Sequence, residues 1–464
     1  MNRSTAGICA LVIASLLPAT AVAGAAEDVP TIRPTDPPGL SVKVGSTTLT
    51  FDGPEIRDWS TDGAVEVPRN HAAWYDPWEP WPARGKDKKD NVIDLGPRRD
   101  PTGTPILGGL FRSILPESVT VTSADGSETF VAGADYALNT DWGQIANLNG
   151  GLGAEWDAKV RVSCRYATQR LDLIQRDAEG DYRVKTGDPA IVCPALPEAD
   201  PGCEPVAGVY IAPWRQCGTF VVTDDNILPI EPADPVAPIR PAAVASTLAK
   251  LRAGRPTTIA LMGASITLGA ESTRWWEEQR KFTENDLAYR GRVIYGLRRR
   301  FPEAMVKPVE CYKGGTTTQY GLEQYRKVVA PAEPDLVLIA FGANDASGAI
   351  GREPRNSPER FKELISELVA AIRADGAEVM LIVTMQQNPW LKSNVAQRWP
   401  TYRQAMLEVG REQDVAVADV YTAWMNMATQ GVPPYTMLHN WINHPGNAGH
   451  QVYADTILRF FPAE

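Results

Sequence analysis

Thr257-Thr258-Ile259-Ala260-Leu261-Met262-Gly263-Ala264-Ser265-Ile266-Thr267 is a short apolar run that ends in glycine, alanine and serine before the chain turns polar again. A run of this length with no polar alternation is a strand buried on both faces, as in parallel sheets. The same signature recurs at Ala304 to Cys311, Asp335 to Phe341, Glu378 to Thr384 and Val415 to Val420. Between two of these runs Phe361, Leu364, Ile365, Leu368, Val369 and Ile372 keep helical spacing, with Ser357 placed to cap, Pro358 in the first turn and Gly376 just past the end. Alternating strands and amphipathic helices predict an α/β domain, a three-layer parallel sheet over residues 246–464. Sites in such sheets lie at the carboxyl ends of the strands.

The chain upstream reads differently. Ser118-Val119-Thr120-Val121-Thr122, Thr129-Phe130-Val131 and Lys159-Val160-Arg161-Val162-Ser163 alternate with a period of two, and Asp125-Gly126 supplies a turn. Residues 27–225 are therefore expected to form an antiparallel, β-sandwich-like domain. A linker at 226–245 carries Pro229, Pro232, Pro235, Pro238 and Pro241, every third residue, which predicts an extended polyproline spacer. Residues 1–26 read as a secretory signal: Arg3, an apolar run from Ile8 to Leu17 too short to span a bilayer, then small residues. Export to the periplasm or beyond follows, without stable membrane insertion.

The 464 residues carry a formal net charge of -10, which becomes -11 once Arg3 leaves with the signal. An acidic balance argues against a nucleic-acid partner. Of six cysteines, Cys9 lies in the signal and Cys311 stands alone. Cys164, Cys193, Cys203 and Cys217 crowd together, and in an oxidising compartment they suggest two disulfides. Cys193–Cys203, flanking a proline-rich loop, and Cys164–Cys217 are the favoured pairs. No Cys-x-x-Cys pair supports zinc.

Four fragments at the predicted strand ends carry polar groups suited to chemistry. Ser265 follows the first strand beside a helix start, where a hydroxyl is exposed among unpaired N–H groups. Lys313-Gly314-Gly315-Thr316 follows the second, and its glycines allow close backbone approach. Phe341-Gly342-Ala343-Asn344-Asp345 follows the third, where the Asn344 amide can face a developing oxyanion. Each fragment alone also fits an ordinary turn or helix cap. Of only four histidines, His439, His444 and His450 fall in one C-terminal stretch, and His is the side chain whose ordinary pKa suits a general base near neutrality. Their spacing shares no helix face, so neither metal nor cofactor is implied.

In this order the fragments, from Thr257 to Phe461, resemble the SGNH (GDSL-like) hydrolase family. The resemblance implies a flavodoxin-like fold, Ser265 as nucleophile, His444 as base, and Gly315 and Asn344 as oxyanion donors beside the Ser265 N–H. Two departures stand out. Ala264 replaces the family's Asp before the serine, and Trp441 occupies the position, three before the histidine, where the family has its triad Asp. Asn440 is then the candidate to orient His444, with a backbone carbonyl near Trp441 as the alternative, and Asp419 reads as a strand-end turn residue. The implied activity is a carboxylic ester hydrolase acting on acyl, above all acetyl, esters of a glycan or on small esters. A lipase, an arylesterase, an O-acyltransferase or an inactive glycan-binding protein are the other readings. Trp275, Trp276 and Trp441 are candidates to line a sugar-stacking lip, and Trp74, Trp78 and Trp81 a second platform.

Overall fold

A computed structural model of the chain describes residues 31–67, 92–106, 110–148, 151–152, 158–232, 234–273, 286–348, 353–390 and 395–463. The signal segment, Trp275 and Trp276, and the Trp74, Trp78 and Trp81 cluster lie outside these residues.

Five parallel strands build the C-terminal half: β1 (Thr257–Gly263), β2 (Val306–Tyr312), β3 (Leu336–Ala340), β4 (Glu378–Val383) and β5 (Ala416–Asp419). They lie in the order β2-β1-β3-β4-β5, the flavodoxin-like arrangement expected from the sequence. Successive residues face opposite layers. Ile259, Leu261, Leu338 and Ile382 pack into one apolar cluster with the helices Tyr289–Arg300 and Asn447–Leu458. Ala260, Met262, Ile339 and Leu381 pack into another with Pro358–Ala374 and Val395–Glu412. Two buried faces explain why β1, β3, β4 and β5 show no polar alternation, whereas the edge strand β2 exposes Lys307 and Glu310. The helix at Pro358–Ala374 starts as its sequence indicates: the Ser357 hydroxyl accepts the Arg360 N–H at 3.2 Å, and Gly376 takes φ of +87° beyond its end.

The N-terminal half is antiparallel, distributed over four sheets of three to five strands. The turn at Asp125-Gly126 joins Thr120–Ser123 to Thr129–Phe130 as expected, and Lys159–Ala167 buries alternate residues. The proline-rich segment is not a free spacer. Ile227–Pro229 closes one N-terminal sheet beside Glu204–Ile211, Ile230 bridges Gln430, and Ile239 bridges Val417 next to β5. Pro229 pairs with Ala207 but donates no N–H, and the next residue, Ile230, donates its N–H to the Val206 carbonyl at 2.8 Å.

The halves share an apolar cluster in which Phe111, Trp142, Ile191 and Tyr210 meet Trp441. Phe111 stacks on Trp390 and on Trp441, each with ring centroids 5.4 Å apart. Gly208 is needed where its strand meets the loop at Gly431, because a side-chain carbon there would lie 1.9 Å from the Gly431 carbonyl oxygen.

The expected disulfides do not form. Cys164, Cys193, Cys203, Cys217 and Cys311 are all free thiols, in different surroundings. Cys164 is buried on the inner face of its strand, Cys217 is exposed on a turn, Cys203 accepts a hydrogen bond from Arg183 at 2.7 Å, and Cys193 packs against Gly446 of the other half. Among the described residues no helix is long and apolar enough to cross a membrane.

Candidate active site

Ser265 opens the short helix Ser265–Leu268 directly after β1. The turn is tight: a side chain on Gly263 would meet the Thr267 hydroxyl at 1.9 Å, so only glycine fits beneath the elbow. Helix geometry leaves the N–H of Ser265 without an acceptor inside the helix. The Ser265 hydroxyl lies 3.0 Å from Nε2 of His444.

His444 sits on a loop closed at its base. The His439 N–H donates to the His444 carbonyl at 2.9 Å, Gly446 N–H donates to Met437 at 2.9 Å, and Leu438 bridges Pro445. The closed loop aims both His439 and His444 at one buried carboxylate, Glu271, only 1% exposed. His444 Nδ1 donates to Glu271 Oε1 at 3.1 Å. That bond leaves Nε2 as the acceptor for the serine proton. Burial alone would raise the Glu271 pKa, but the hydrogen bonds from His439 and His444 outweigh it and hold the carboxyl below its ordinary value.

Glu271 was not legible in the sequence. It lies six residues after the serine, in the turn that follows the helix Ser265–Leu268, at a backbone φ of +66°, whereas the family's triad acid lies beside the histidine. A carboxylate shortly after the Ser265 turn is the trace it leaves in the sequence.

Asn440 is not placed to orient His444. Its Oδ1 accepts the N–H groups of Ile442, Asn443 and His444 at 2.9, 2.9 and 3.1 Å, so the side chain shapes the loop. Its Nδ2 lies 3.3 Å from His444 Nδ1, but two donors cannot satisfy one another while Nδ1 bonds Glu271. The Trp441 carbonyl accepts from Asn388 at 2.6 Å instead of from His444. The Trp441 ring is 1% exposed in the aromatic cluster, which removes it from any sugar-binding lip. Asp419 caps the helix after β5 through the Thr422 N–H and pairs with Arg403 at 2.6 Å, as a strand-end residue would.

Of the other expected fragments, the glycine turn approaches the serine and the Asn344 loop is tied to that turn. A side-chain carbon built on Gly314 would lie 3.9 Å from the Ser265 Cβ, and neighbouring Gly315 has φ of +75°. Asn344 donates one amide proton to the Thr316 carbonyl at 2.9 Å, tying its loop to the glycine turn. Asp345 is fully buried and accepts the Thr318 N–H at 3.1 Å and the Asn356 amide at 2.6 Å. His450 is a structural partner: its Nδ1 accepts the Tyr289 N–H at 3.2 Å, and burial, reinforced by the charges of Arg292 and Arg290, lowers its pKa to about 3.

A hydroxyl, an imidazole and a buried carboxylate in line at the carboxyl end of a parallel sheet form a constellation of the serine–histidine–acid class. Residues 261–452 match the model of the GDSL-like lipase/acylhydrolase family. A GDSL-like lipase/acylhydrolase domain is thus matched over most of the C-terminal half of the chain. No curated protein matches the chain. Similar solved structures include a two-domain esterase active on acetylated mannans, at 22% identity and a TM-score of 0.36, over 47% of this chain and 52% of that one. An acetylxylan esterase from Geobacillus stearothermophilus is similar at 19% identity and a TM-score of 0.36, over 44% and 94%. A lipase/acylhydrolase from Enterococcus faecalis is similar at 24% and 0.34, over 44% and 94%. The match thus spans about half the length of the two-domain esterase.

Proposed function

We propose that the protein is an exported serine esterase that removes acyl groups, acetyl above all, from a carbohydrate. The observation that carries the esterase reading is the unbroken contact from Ser265 through His444 to Glu271, at 3.0 and 3.1 Å. In this reading Ser265 attacks the ester carbonyl while His444 Nε2 takes its proton. Glu271 offsets the charge of the imidazolium that forms. The tetrahedral oxygen is met by the N–H groups of Ser265 and Gly315 and by the second amide proton of Asn344, each donor contributing about 3 kcal/mol when well placed. His444 returns the proton to the leaving alcohol as the acyl-enzyme forms. Water, activated by the same imidazole, then attacks the acyl-enzyme, and Ser265 leaves with its proton restored.

Export is supported by the signal-like residues 1–26, and a polysaccharide substrate by export, the acidic surface and a second, β-rich domain beside the site. The direct test is acetate release from p-nitrophenyl acetate and from acetylated xylan by the mature protein, beside Ser265→Ala and His444→Ala. Turnover that either change lowers by about 10⁴-fold is the expected result. Rates no higher than those of Ser265→Ala on both esters would overturn the esterase, and activity on the small ester alone would overturn the glycan.

A further inference from the structure

Glu271 holds a second histidine that ester hydrolysis as described does not use. His439 Nδ1 lies 3.2 Å from Glu271 Oε2, and His439 Nε2 lies 3.2 Å from Oδ2 of Asp100. Asp100 belongs to the N-terminal half, on a loop that also touches the segment after Glu271, where the hydroxyls of Thr102 and Thr273 are 3.4 Å apart. The contacts run without a gap from Ser265 through His444, Glu271 and His439 to Asp100. We infer that Asp100 and His439 are positioning residues of the active site, so that the N-terminal domain completes the catalytic relay. The inference rests on the esterase reading above.

The geometry gives each group a task. His439 fixes Oε2 of Glu271 and so leaves Oε1 aimed at His444. To bond carboxylates on both sides, His439 must donate from both nitrogens, which makes it an imidazolium. A lone imidazolium there would cancel the charge of Glu271 and leave the imidazolium of His444 without a counter-ion. Asp100 returns the net charge of the group to -1, the value that His444 needs when it takes the serine proton.

Burial alone would lower the pKa of His439, but its bonds to Asp100 and Glu271 outweigh that and raise it to about 9. The same bond, with those from Thr102 and Thr104, holds Asp100 below its ordinary value against partial burial. The titratable groups around His439 are Glu271 from the nucleophile loop, Asp100 from the N-terminal loop, His444 from its own loop and Cys193, which packs with His439 around Gly446. Burial pushes the Cys193 thiol far up, with Glu271 and Asp100 adding to it, so it stays neutral and His439 is the group that changes charge near this pH.

Asp100 also organises its own loop: Oδ1 accepts the Thr102 and Thr104 N–H groups at 2.8 and 2.9 Å. Asp100→Asn keeps that oxygen and replaces only the charge facing His439, which separates relay from scaffold. The test is the pH profile of kcat and KM for acetate release, followed by pH-stat from about pH 6 to 10 with the blank subtracted. Folded Asp100→Asn is expected to lose about ten- to 100-fold in kcat with KM nearly unchanged. The unmodified protein is expected to show an alkaline limb near pH 9, where His439 gives up its proton, and in Asp100→Asn that limb should move to lower pH. His439→Gln keeps a donor to Glu271 but cannot titrate, so it should erase that limb, and it carries the test if Asp100→Asn does not fold. An unchanged kcat, a loss confined to KM, or a lower kcat with the limb in place in both variants would overturn the inference while leaving the esterase standing. No turnover by the unmodified protein would overturn both.

Discussion

The two halves of the molecule are held together by different kinds of information. In the C-terminal half the central strands are buried on both faces and the helix Pro358–Ala374 carries a periodic stripe, so local pattern locates these elements. In the N-terminal half the strands are short, and distant polar groups do the tying. Arg170 and Asp172, both nearly inaccessible, form a two-pronged pair at 2.7 and 3.0 Å. Arg170 also donates to the carbonyls of Asp52 and Gly53, more than a hundred residues away, and Asp172 accepts the Gly187 N–H at 2.9 Å. A fold built on local pattern can be read from its sequence, whereas one built on long-range polar ties shows its logic only in three dimensions.

That contrast can be broken by measurement. Asp172→Ala strands the buried Arg170 guanidinium, and a loss of about 3–5 kcal/mol is expected in urea unfolding. Ser357→Ala removes one helix cap in the half ruled by local pattern and should cost about 1 kcal/mol. If the cap costs more than the buried pair, the N-terminal half is not held by its polar ties and the contrast fails.

Legibility in the sequence followed the same division. The five parallel strands and the capped helix were readable because period and turn chemistry are local properties, whereas Ser265, Gly315, Asn344 and His444 were grouped by the resemblance to a known family. Glu271 was not, since nothing near His444 in the chain points to a carboxylate delivered from the nucleophile's own loop. Asp100 lies further from such signals still: its partner is 339 residues away. Trp441, a candidate for the sugar-stacking lip, takes a backbone φ of +59° and its ring is buried against Phe111. The cysteines misled for a related reason. Closeness along the chain says nothing of which face of a strand a thiol occupies, and Cys164 and Cys217 lie in the core and at the surface.

The central claim is that Glu271, and not Asn440, serves as the acid behind His444. It is tested most directly by comparing kcat for Glu271→Gln and Asn440→Ala on the same acetyl ester. Glu271→Gln keeps the shape and removes the charge, so its kcat should fall by about 10³- to 10⁴-fold. Asn440→Ala removes loop hydrogen bonds only, and its folded fraction should keep kcat within about ten-fold. The reverse order, with Asn440→Ala the more damaging and Glu271→Gln nearly silent, would contradict the account.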